Sequence, residues 1–135
     1  MIPINYSCAG DNTSPPLSWP GVAPVGTKSW SIVMQDLDVT PGPWIQWMIT
    51  GIPAKTRTLA AGQAPAGANI HKASNGSAGF VGPCPPQGKT HRYSFTLYAV
   101  GVQPTPPAAA TSSQTLRAIK SAALGTNTLT GRYAR

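Results

Sequence analysis

Two segments of this sequence alternate between apolar and polar residues, and this alternation constrains the fold more than any other feature. In Arg92–Val100 the apolar residues are Tyr93, Phe95, Leu97 and Ala99. In Lys28–Asp36 they are Trp30, Ile32 and Met34, and Asp36 continues the same parity. Alternate side chains of a β-strand face the same side, so a period of two predicts strands with one apolar face. Both segments are therefore predicted to be strands, with Asp36 at the rim of the core.

Turn-forming residues divide the sequence around these strands. Ile2–Ser18 is rich in Pro, Gly, Asp and Asn and is predicted to be irregular. Trp44–Thr50 carries aromatic and branched residues on both parities, which favours a central strand covered on both faces and ended by Pro53. Ala54–Gly62 could hold one helical turn. Gln63–Pro86 is predicted to be a long irregular stretch, and such loops are often functional.

The last third of the sequence predicts a helix. After the Pro-rich connector Gly101–Ala110, Thr111 or Ser112 can cap it, and Gly125 would end it. Its apolar stripe consists of Leu116, Ile119, Ala123 and Leu124. Strands followed by one terminal helix, without an internal repeat, predict a mostly antiparallel α+β architecture. The length of 135 residues fits a single domain, residues 1–135.

Charge and cysteine content exclude several classes of function. Ten basic residues against three Asp give a net charge of +7, which attracts anions. These basic residues are spread thinly along the chain, so no nucleic-acid partner is expected. Cys8 and Cys84 are too few for a metal cluster or a dense disulfide scaffold, and one disulfide or two buried thiols both stay open. Neither a metal nor another cofactor is predicted.

Hydropathy gives no sign of a membrane protein. No stretch approaches the ~20 apolar residues of a membrane-spanning helix, and the start has no charged segment followed by a hydrophobic run. We therefore expect a soluble chain without membrane insertion, which could be cytoplasmic or exported.

Four motifs together resemble one known family. The first runs from Ile2-Pro3 through Tyr6-Ser7-Cys8 and Asn12–Trp19 to Gly26–Ser29. The others are Asp36–Gly42, then Gly82–Gly88 running into His91-Arg92-Tyr93, and finally the closing Leu129–Arg135. In these motifs the chain resembles the phosphatidylethanolamine-binding protein family, which includes the Raf kinase inhibitor proteins, and in particular its bacterial and archaeal branch.

The resemblance implies both a fold and a pocket. The implied fold is mostly β, with a large central antiparallel sheet, a smaller second sheet and peripheral helices. The implied pocket takes phosphate, acetate or phosphorylated head groups. Its residues would be Asp36, Asp38, Gln46, Gly82, Cys84, Pro86, His91 and Tyr93.

The sequence departs from the family pattern at three places. Leu37 and Thr40 stand where prolines are expected, and Gln46, before Trp47, stands where the family usually has histidine. The family's usual strand upstream of Ile2 is absent from the sequence, which would leave an exposed sheet edge. Gln46 belongs to the implied pocket. Like histidine it has a hydrogen-bond donor, but unlike histidine it cannot become cationic, so a phosphate should be held less tightly.

The loop of the predicted pocket offers donors without bulk. Backbone N–H groups are expected at Gly82, Cys84, Gln87 and Gly88, and three prolines between them stiffen the loop and lower the entropy cost of binding. The thiol of Cys84 could be reactive, although no sequence feature indicates this.

The side chains of the predicted pocket have alternative roles. His91 adds a donor that strengthens on protonation, so anion binding should improve at mildly acidic pH; alternatively it only orders the loop. Asp36 could orient His91, receive an ammonium group or cap its own turn. Asp38 is more readily structural than Asp36. Tyr93, beside His91, is expected to be a pocket wall.

Three functions compete on these grounds. The leading one is non-catalytic binding of a small anionic ligand, with its occupancy transmitted to a partner protein. The alternative is an inhibitor of, or interaction protein for, a protease or kinase. The third is a hydrolase using Asp36, His91 and Cys84, for which few acid/base groups exist. A homodimer is also open.

Overall fold

A five-stranded antiparallel sheet forms the centre of the computed structural model, which describes residues 1–102 and 110–135. Most of the predicted connector Gly101–Ala110 therefore lies outside the described residues. The strands of this sheet are β2 (Ser29–Asp36), β3 (Trp44–Pro53), β5 (Asn69–Ile70), β6 (Thr90–Val100) and β7 (Ala123–Ala134). Their order across the sheet is β5-β3-β2-β6-β7, so β2 lies between β3 and β6.

A second, two-stranded sheet pairs β1 (Leu17–Ser18) with β4 (Thr58–Leu59). It lies on the side of the large sheet that packs against Trp19 and Leu59. The helical turn considered for Ala54–Gly62 is wrong, because this segment makes a turn and then enters β4. The predicted large sheet, smaller sheet and C-terminal helix are confirmed.

Both faces of the large sheet are buried at its central strands β2 and β3. Ile32 and Met34 of β2 belong to the cluster that faces the N-terminal segment and the small sheet. Val33 of β2 and Met48 of β3 are fully buried on the opposite face, against the helix α1 (Ser112–Ala122). The single apolar face expected for β2 is therefore a partial description. Val33 lies on the opposite face from Trp30, Ile32 and Met34, and it is apolar because α1 covers that second face.

The helix ends earlier than the sequence predicted. Thr111 caps it through a reciprocal capping box with Gln114, as a Thr or Ser at this place was expected to do. The chain leaves the helix after Ala122 and continues directly into β7, so the predicted stop at Gly125 is wrong. Leu124, expected in the helical stripe, lies in β7 and is half-exposed. The last element is thus a twelve-residue edge strand rather than a helix.

The N-terminal segment crosses the end of the sheet and is fastened to it. After a short 3-10 helix, Ile4–Tyr6, a disulfide joins Cys8 to Cys84, 76 residues further along the chain. This settles the alternatives left open for the two cysteines. The Cys8 N–H also donates to the Pro83 carbonyl at 3.1 Å. The N-terminal segment and the loop around Cys84 therefore form one structural unit.

Candidate functional site

The site begins where β2 ends beside β6. Asp36 is the last residue of β2 and lies directly opposite Tyr93 of β6. His91, two residues before Tyr93, faces the same side of the sheet. Its Nδ1 lies 2.7 Å from Asp36 Oδ2, and both side chains are largely buried, at 15% and 6% exposed. The antiparallel register thus brings together two residues that are 55 positions apart.

The short contact fixes the protonation pattern of His91. An oxygen and a nitrogen 2.7 Å apart need a proton between them, and the carboxylate of Asp36 is the acceptor. Nδ1 of His91 therefore carries the proton in the neutral form, which leaves Nε2 as an acceptor. Nε2 becomes a donor only when the ring takes up a second proton.

Asp36 performs two of the roles proposed for it. Its second oxygen, Oδ1, accepts the backbone N–H of Asp38 at 2.9 Å and so caps the turn that follows β2. The orienting role and the capping role are compatible because each uses a different oxygen.

Asp38 has a structural environment. Its carboxylate accepts the backbone N–H of Arg92 at 2.7 Å and two side-chain N–H groups of the same residue. The Arg92 hydrogen bonds and charge lower the pKa of Asp38 to about 2. Arg92 is exposed, so the pair clamps the turn after β2 to the start of β6 from the solvent side. Both carboxylate oxygens of Asp38 thus accept hydrogen bonds from Arg92, so neither is left without a protein partner for the binding role expected of Asp38.

Gln46 lies at a β-bulge and supports the loop. The register between β2 and β3 slips from Met34–Trp47 to Gln35–Ile45, which leaves Gln46 as the extra residue. Such bulges redirect a side chain. Nε2 of Gln46 donates to the carbonyls of Val81 at 2.7 Å and Gly82 at 3.2 Å. Both amide hydrogens are thereby used, so the donor expected for an anion is engaged with the loop.

The loop Gly82–Gly88 offers fewer free amides than predicted. Gly82 N–H donates to the side chain of Asn12 at 2.8 Å, and Gly88 N–H donates to the carbonyl of Arg135 at 2.7 Å. The prediction that these two amides are available to an anion is therefore wrong. A Cβ at Gly82 would collide with Asn12 Oδ1 and the Tyr6 carbonyl, which explains why glycine is required there.

Cys84 is an anchor of the loop. Its sulfur is bonded to Cys8, so the thiol nucleophile considered for hydrolysis is absent, and that hypothesis is wrong for this residue. Nη1 of Arg135 lies 3.5 Å from Cys84 Sγ, which places a guanidinium beside the loop. Pro86 is exposed, and its carbonyl closes a turn by accepting the Lys89 N–H at 3.0 Å.

Tyr93 forms the floor of the site. It is fully buried, and its ring lies 6.4 Å from that of His91. Burial, reinforced by the Asp36 charge, raises the pKa of Tyr93, so the hydroxyl keeps its proton at neutral pH. Within residues 1–102 and 110–135, this hydroxyl makes no hydrogen bond of acceptable geometry, although the Asp36 carboxylate and the Cys84 backbone lie close enough to influence its pKa. A buried, protonated hydroxyl without a well-formed hydrogen bond is a donor that a ligand or water would satisfy.

Three residues of the site environment were not predicted as site residues. Asn12 holds Gly82, Arg135 reaches Cys84, and Tyr133 lies opposite His91 with its hydroxyl 2.8 Å from Ser7 Oγ. All three lie within motifs that carried the family resemblance, which was the signal available for them. Their partners are 51 or more residues away, so no local pattern indicates these contacts.

Among the described residues, no group of three or more His, Cys, Asp or Glu side chains could hold a metal ion. In the same part of the chain, no helix has the length and hydropathy needed to cross a membrane.

Comparison with known proteins places this site in a family context. The family model described as Phosphatidylethanolamine-binding protein matches residues 1–134. The LppC protein of Mycobacterium tuberculosis is 41% identical over 98% of this chain, which spans 65% of that protein's length. A UPF0098 protein of Methanothermobacter thermautotrophicus is 38% identical over 99% of this chain and 91% of its own.

Two crystal structures have the same fold. Escherichia coli YbcL, described as a member of the mammalian PEBP family, superposes with a TM-score of 0.86 at 32% identity, covering 96% of this chain and 85% of its own. The CT736 homologue of Chlamydia trachomatis, also described as a PEBP homologue, gives 0.86 at 34% identity, covering 99% and 89%. The architecture described above is therefore shared with proteins whose structures are known.

Proposed function

The chain belongs to the phosphatidylethanolamine-binding protein family, and on that basis we propose that it binds a small phosphate- or carboxylate-bearing ligand without chemically changing it. The membership confirms the resemblance seen in the four motifs. The ligand would lie against His91 and Tyr93, beside the loop Gly82–Gly88. The Asp36–His91 pair is the observation that carries the proposal.

The pair makes anion binding depend on proton uptake. With Nδ1–H held by Asp36, neutral His91 presents a lone pair at Nε2, which repels an anion that has no proton to offer. The imidazolium form presents an N–H and a positive charge instead, and charge-assisted hydrogen bonds are about twice as strong as neutral ones. A fully ionised anion should therefore bind together with one proton.

Two further groups favour an anion at this place. The Tyr93 hydroxyl is protonated and has no hydrogen bond of acceptable geometry within the described residues, so it can donate. The Arg135 guanidinium beside Cys84 adds positive charge at the rim. The imidazolium form of His91 balances the charge of Asp36, and Arg92 balances that of Asp38, so neither carboxylate then opposes the ligand alone.

Titration with two anions tests the proposal. Sulfate carries no titrating proton near neutral pH, whereas monobasic phosphate can donate its own proton to Nε2. We expect sulfate to shift the Cys84 and Gln87 amide resonances more strongly at pH 5.5 than at pH 7.5, with a smaller pH dependence for phosphate. Calorimetry in buffers of different ionisation enthalpy should show proton uptake with sulfate.

The two histidines give matched variants. His91→Ala should abolish the response around Gly82–Tyr93, whereas His71→Asn should leave it intact, because His71 is bonded to Thr50 in another part of the sheet. Asp36→Asn should weaken sulfate binding while leaving the loop in place. If millimolar anions shift only surface lysine resonances, the site does not bind anions and the proposal fails.

The same loop could communicate with a protein partner. Cys84, Pro86 and Gln87 are exposed, so a partner such as a protease or kinase could contact the loop while the ligand occupies its inner side. An inhibitory role predicts stoichiometric inhibition of a protease or kinase from a test panel. Inhibition that survives His91→Ala would show that the partner acts independently of the ligand, and its absence throughout the panel would remove this role.

A further inference from the structure

The Cys8–Cys84 disulfide lies at the protein surface. Both cysteines are exposed, although the neighbours of Cys84 in the loop, Pro83 and Pro85, are buried. In thiol–disulfide exchange a thiolate attacks one sulfur of a disulfide and expels the other, and the rate depends on access to the attacked sulfur. This crosslink is therefore open to attack by thiols from solvent.

The two sulfurs of the crosslink differ in their surroundings. Nη1 of Arg135 donates to Sγ of Cys84 at 3.5 Å. Sγ of Cys8 accepts no hydrogen bond from the residues that the structure describes, and the segment 1–27 that carries it contains neither Lys nor Arg. A guanidinium beside a sulfur stabilises the thiolate through its positive charge. Cys84 is therefore the more stable thiolate of the two when the crosslink opens.

This difference determines which sulfur is attacked. The thiol that forms the more stable thiolate leaves faster in exchange. An incoming thiolate should therefore form its new S–S bond to Cys8, while the bond between Cys8 and Cys84 breaks and its electron pair stays on Cys84. The products are a mixed disulfide on Cys8 and a Cys84 thiolate beside Arg135. One disulfide replaces another, so the step needs no oxidant.

Two hydrogen bonds keep the two cysteines close together after the crosslink opens. The Cys8 N–H donates to the Pro83 carbonyl at 3.1 Å, and the Gly82 N–H donates to Asn12 Oδ1 at 2.8 Å. Both bonds join the segment that carries Cys8 to the loop that carries Cys84. The Cys84 thiolate thus has a high effective concentration next to the mixed disulfide. It can attack Cys8 again, expel the small thiolate and restore the crosslink, so the modification is reversible.

A second small thiolate completes the reduction. It attacks the sulfur of the first small molecule in the mixed disulfide, which leaves Cys8 as a thiolate and releases the small thiol as its own disulfide. Two electrons thereby pass from two small thiols to the protein disulfide. Reclosing by Cys84 competes with this second step.

The backbone of Arg135 is held independently of its side chain. Its carbonyl accepts the Gly88 N–H at 2.7 Å, and its N–H donates to the Lys89 carbonyl at 3.2 Å. Both contacts involve main-chain atoms, so they persist when the side chain of Arg135 is replaced. The effect of the guanidinium on Cys84 can therefore be measured without releasing the loop.

We propose that the Cys8–Cys84 disulfide is a site of reversible modification by low-molecular-weight thiols, in which the mixed disulfide forms on Cys8 and Cys84 leaves as a thiolate beside Arg135. Cys8 is the attacked sulfur, and Cys84 is the thiolate that later restores the crosslink. The substrate class is a small thiol such as glutathione, which reacts as its thiolate. The reaction needs no anion at the Asp36–His91 site, so this proposal and the proposed function fail independently.

Peptide mapping after a brief reaction with glutathione tests which sulfur is attacked. The oxidised chain is mixed with reduced glutathione in a buffer free of phosphate and sulfate, and N-ethylmaleimide then blocks every free thiol. Trypsin separates the two cysteines, because Lys28 and Lys72 lie between them. Mass spectrometry should find glutathione on Cys8 and N-ethylmaleimide on Cys84 at least about five times as often as the reverse.

Variants of two arginines separate a contact effect from a general charge effect. Arg135→Gln removes the guanidinium from Cys84 and should slow opening at least about threefold and bring the product ratio below about two. Arg135→Lys keeps the positive charge and should retain the preference for Cys8. Arg132→Gln removes the same charge from an exposed position of β7 and should change the opening rate by less than about 1.5-fold.

A serine variant tests the reclosing step. In Cys84→Ser, glutathione attached to Cys8 from oxidised glutathione should stay in place after the excess is removed, because no second thiolate can expel it. In the wild type the same adduct should disappear as the crosslink reforms. A wild-type adduct that persists as long as the one in Cys84→Ser would contradict reclosing by Cys84.

Four results would overturn the proposal. The first is a crosslink that stays closed for a day at about 10 mM glutathione, and the second is a mixed disulfide found mainly on Cys84. The third is equal slowing in Arg135→Gln and Arg132→Gln, which would indicate a general charge effect. The fourth is loss of hydrogen-exchange protection at the Gly82 amide as soon as the crosslink opens, because the two cysteines would then separate instead of reclosing.

Discussion

Removing the Cys8–Cys84 disulfide should lower the free energy of unfolding by about 4 kcal/mol. The crosslink joins residues separated by 76 positions, and a loop of that size restricts the unfolded chain by about 15 cal/mol/K, or about 4.5 kcal/mol at 25 °C. Both cysteines are exposed, so serine at these positions buries no new polar group. The Cys8 N–H to Pro83 bond can persist without the crosslink, so the native state should change little.

Urea unfolding of the Cys8→Ser/Cys84→Ser double variant measures this effect. For a chain of this length the loss corresponds to a fall in Tm of roughly 15 °C. The m-value should rise, because an uncrosslinked unfolded chain exposes more surface. Wild-type protein in reductant is the control and should match the double variant. A difference from the oxidised wild type of less than about 1 kcal/mol would refute the entropic reasoning.

Three further perturbations have definite expected outcomes. Asp38→Asn should lower Tm at pH 6. Hydrogen bonds from Arg92 hold the pKa of Asp38 at about 2, and the stabilisation that this pair provides is lost when Asp38 is protonated. The difference in Tm between the variant and the wild type should therefore vanish as the pH falls from about 4 to about 2. Burial lowers the pKa of His71, so the unfolded chain binds a proton more readily than the folded chain. The free energy of unfolding should therefore fall as the pH drops below about 6.5. His71→Asn should reduce this pH dependence, as measured by urea unfolding at pH 7 and pH 5. Thr111→Ala removes the helix cap and should cost about 1 kcal/mol in urea unfolding, whereas Ser113→Ala, in the same turn, should be nearly neutral.

The core strands were predictable because apolar residues recur at every second position along them. The alternation in Lys28–Asp36 and Arg92–Val100 follows from facing a packed layer, and it located β2 and β6 within two residues of their bounds. The same parity placed Asp36, His91 and Tyr93 on one face. Their meeting depended on β2 and β6 being neighbours in register, which came from the family resemblance.

β7 escaped prediction for a physical reason. Ala123–Ala134 is rich in Thr, Gly and Asn and is exposed along most of its length, so it has no apolar period to detect. Ala123 and Leu124 instead extended the apparent stripe of α1. An edge strand obtains its order from the neighbour that it pairs with, here β6, and that pairing is not encoded in its own hydrophobic pattern.

The loop contacts were unpredictable for a related reason. The occupied amides of Gly82 and Gly88 depend on Asn12, which precedes the loop by 70 positions, and on Arg135, which follows it in β7's C-terminal continuation. The sequence shows how many backbone N–H donors a loop contains, whereas the fold determines which of them are already bonded within the protein. Gln46 shows the same limit, because its bulge position directs both amide hydrogens to the loop.

The loop Gly82–Gly88 is bonded both to residues that precede it and to a residue that follows it, and this sets an order of events during synthesis. The ribosome makes Asn12 and Cys8 first, the loop Gly82–Gly88 much later, and Arg135, whose carbonyl accepts the Gly88 N–H, later still. The loop therefore cannot reach its final shape until β7 has left the exit tunnel. A nascent chain that still lacks β7 should be unable to bind ligand, so binding would report that translation has passed residue 135.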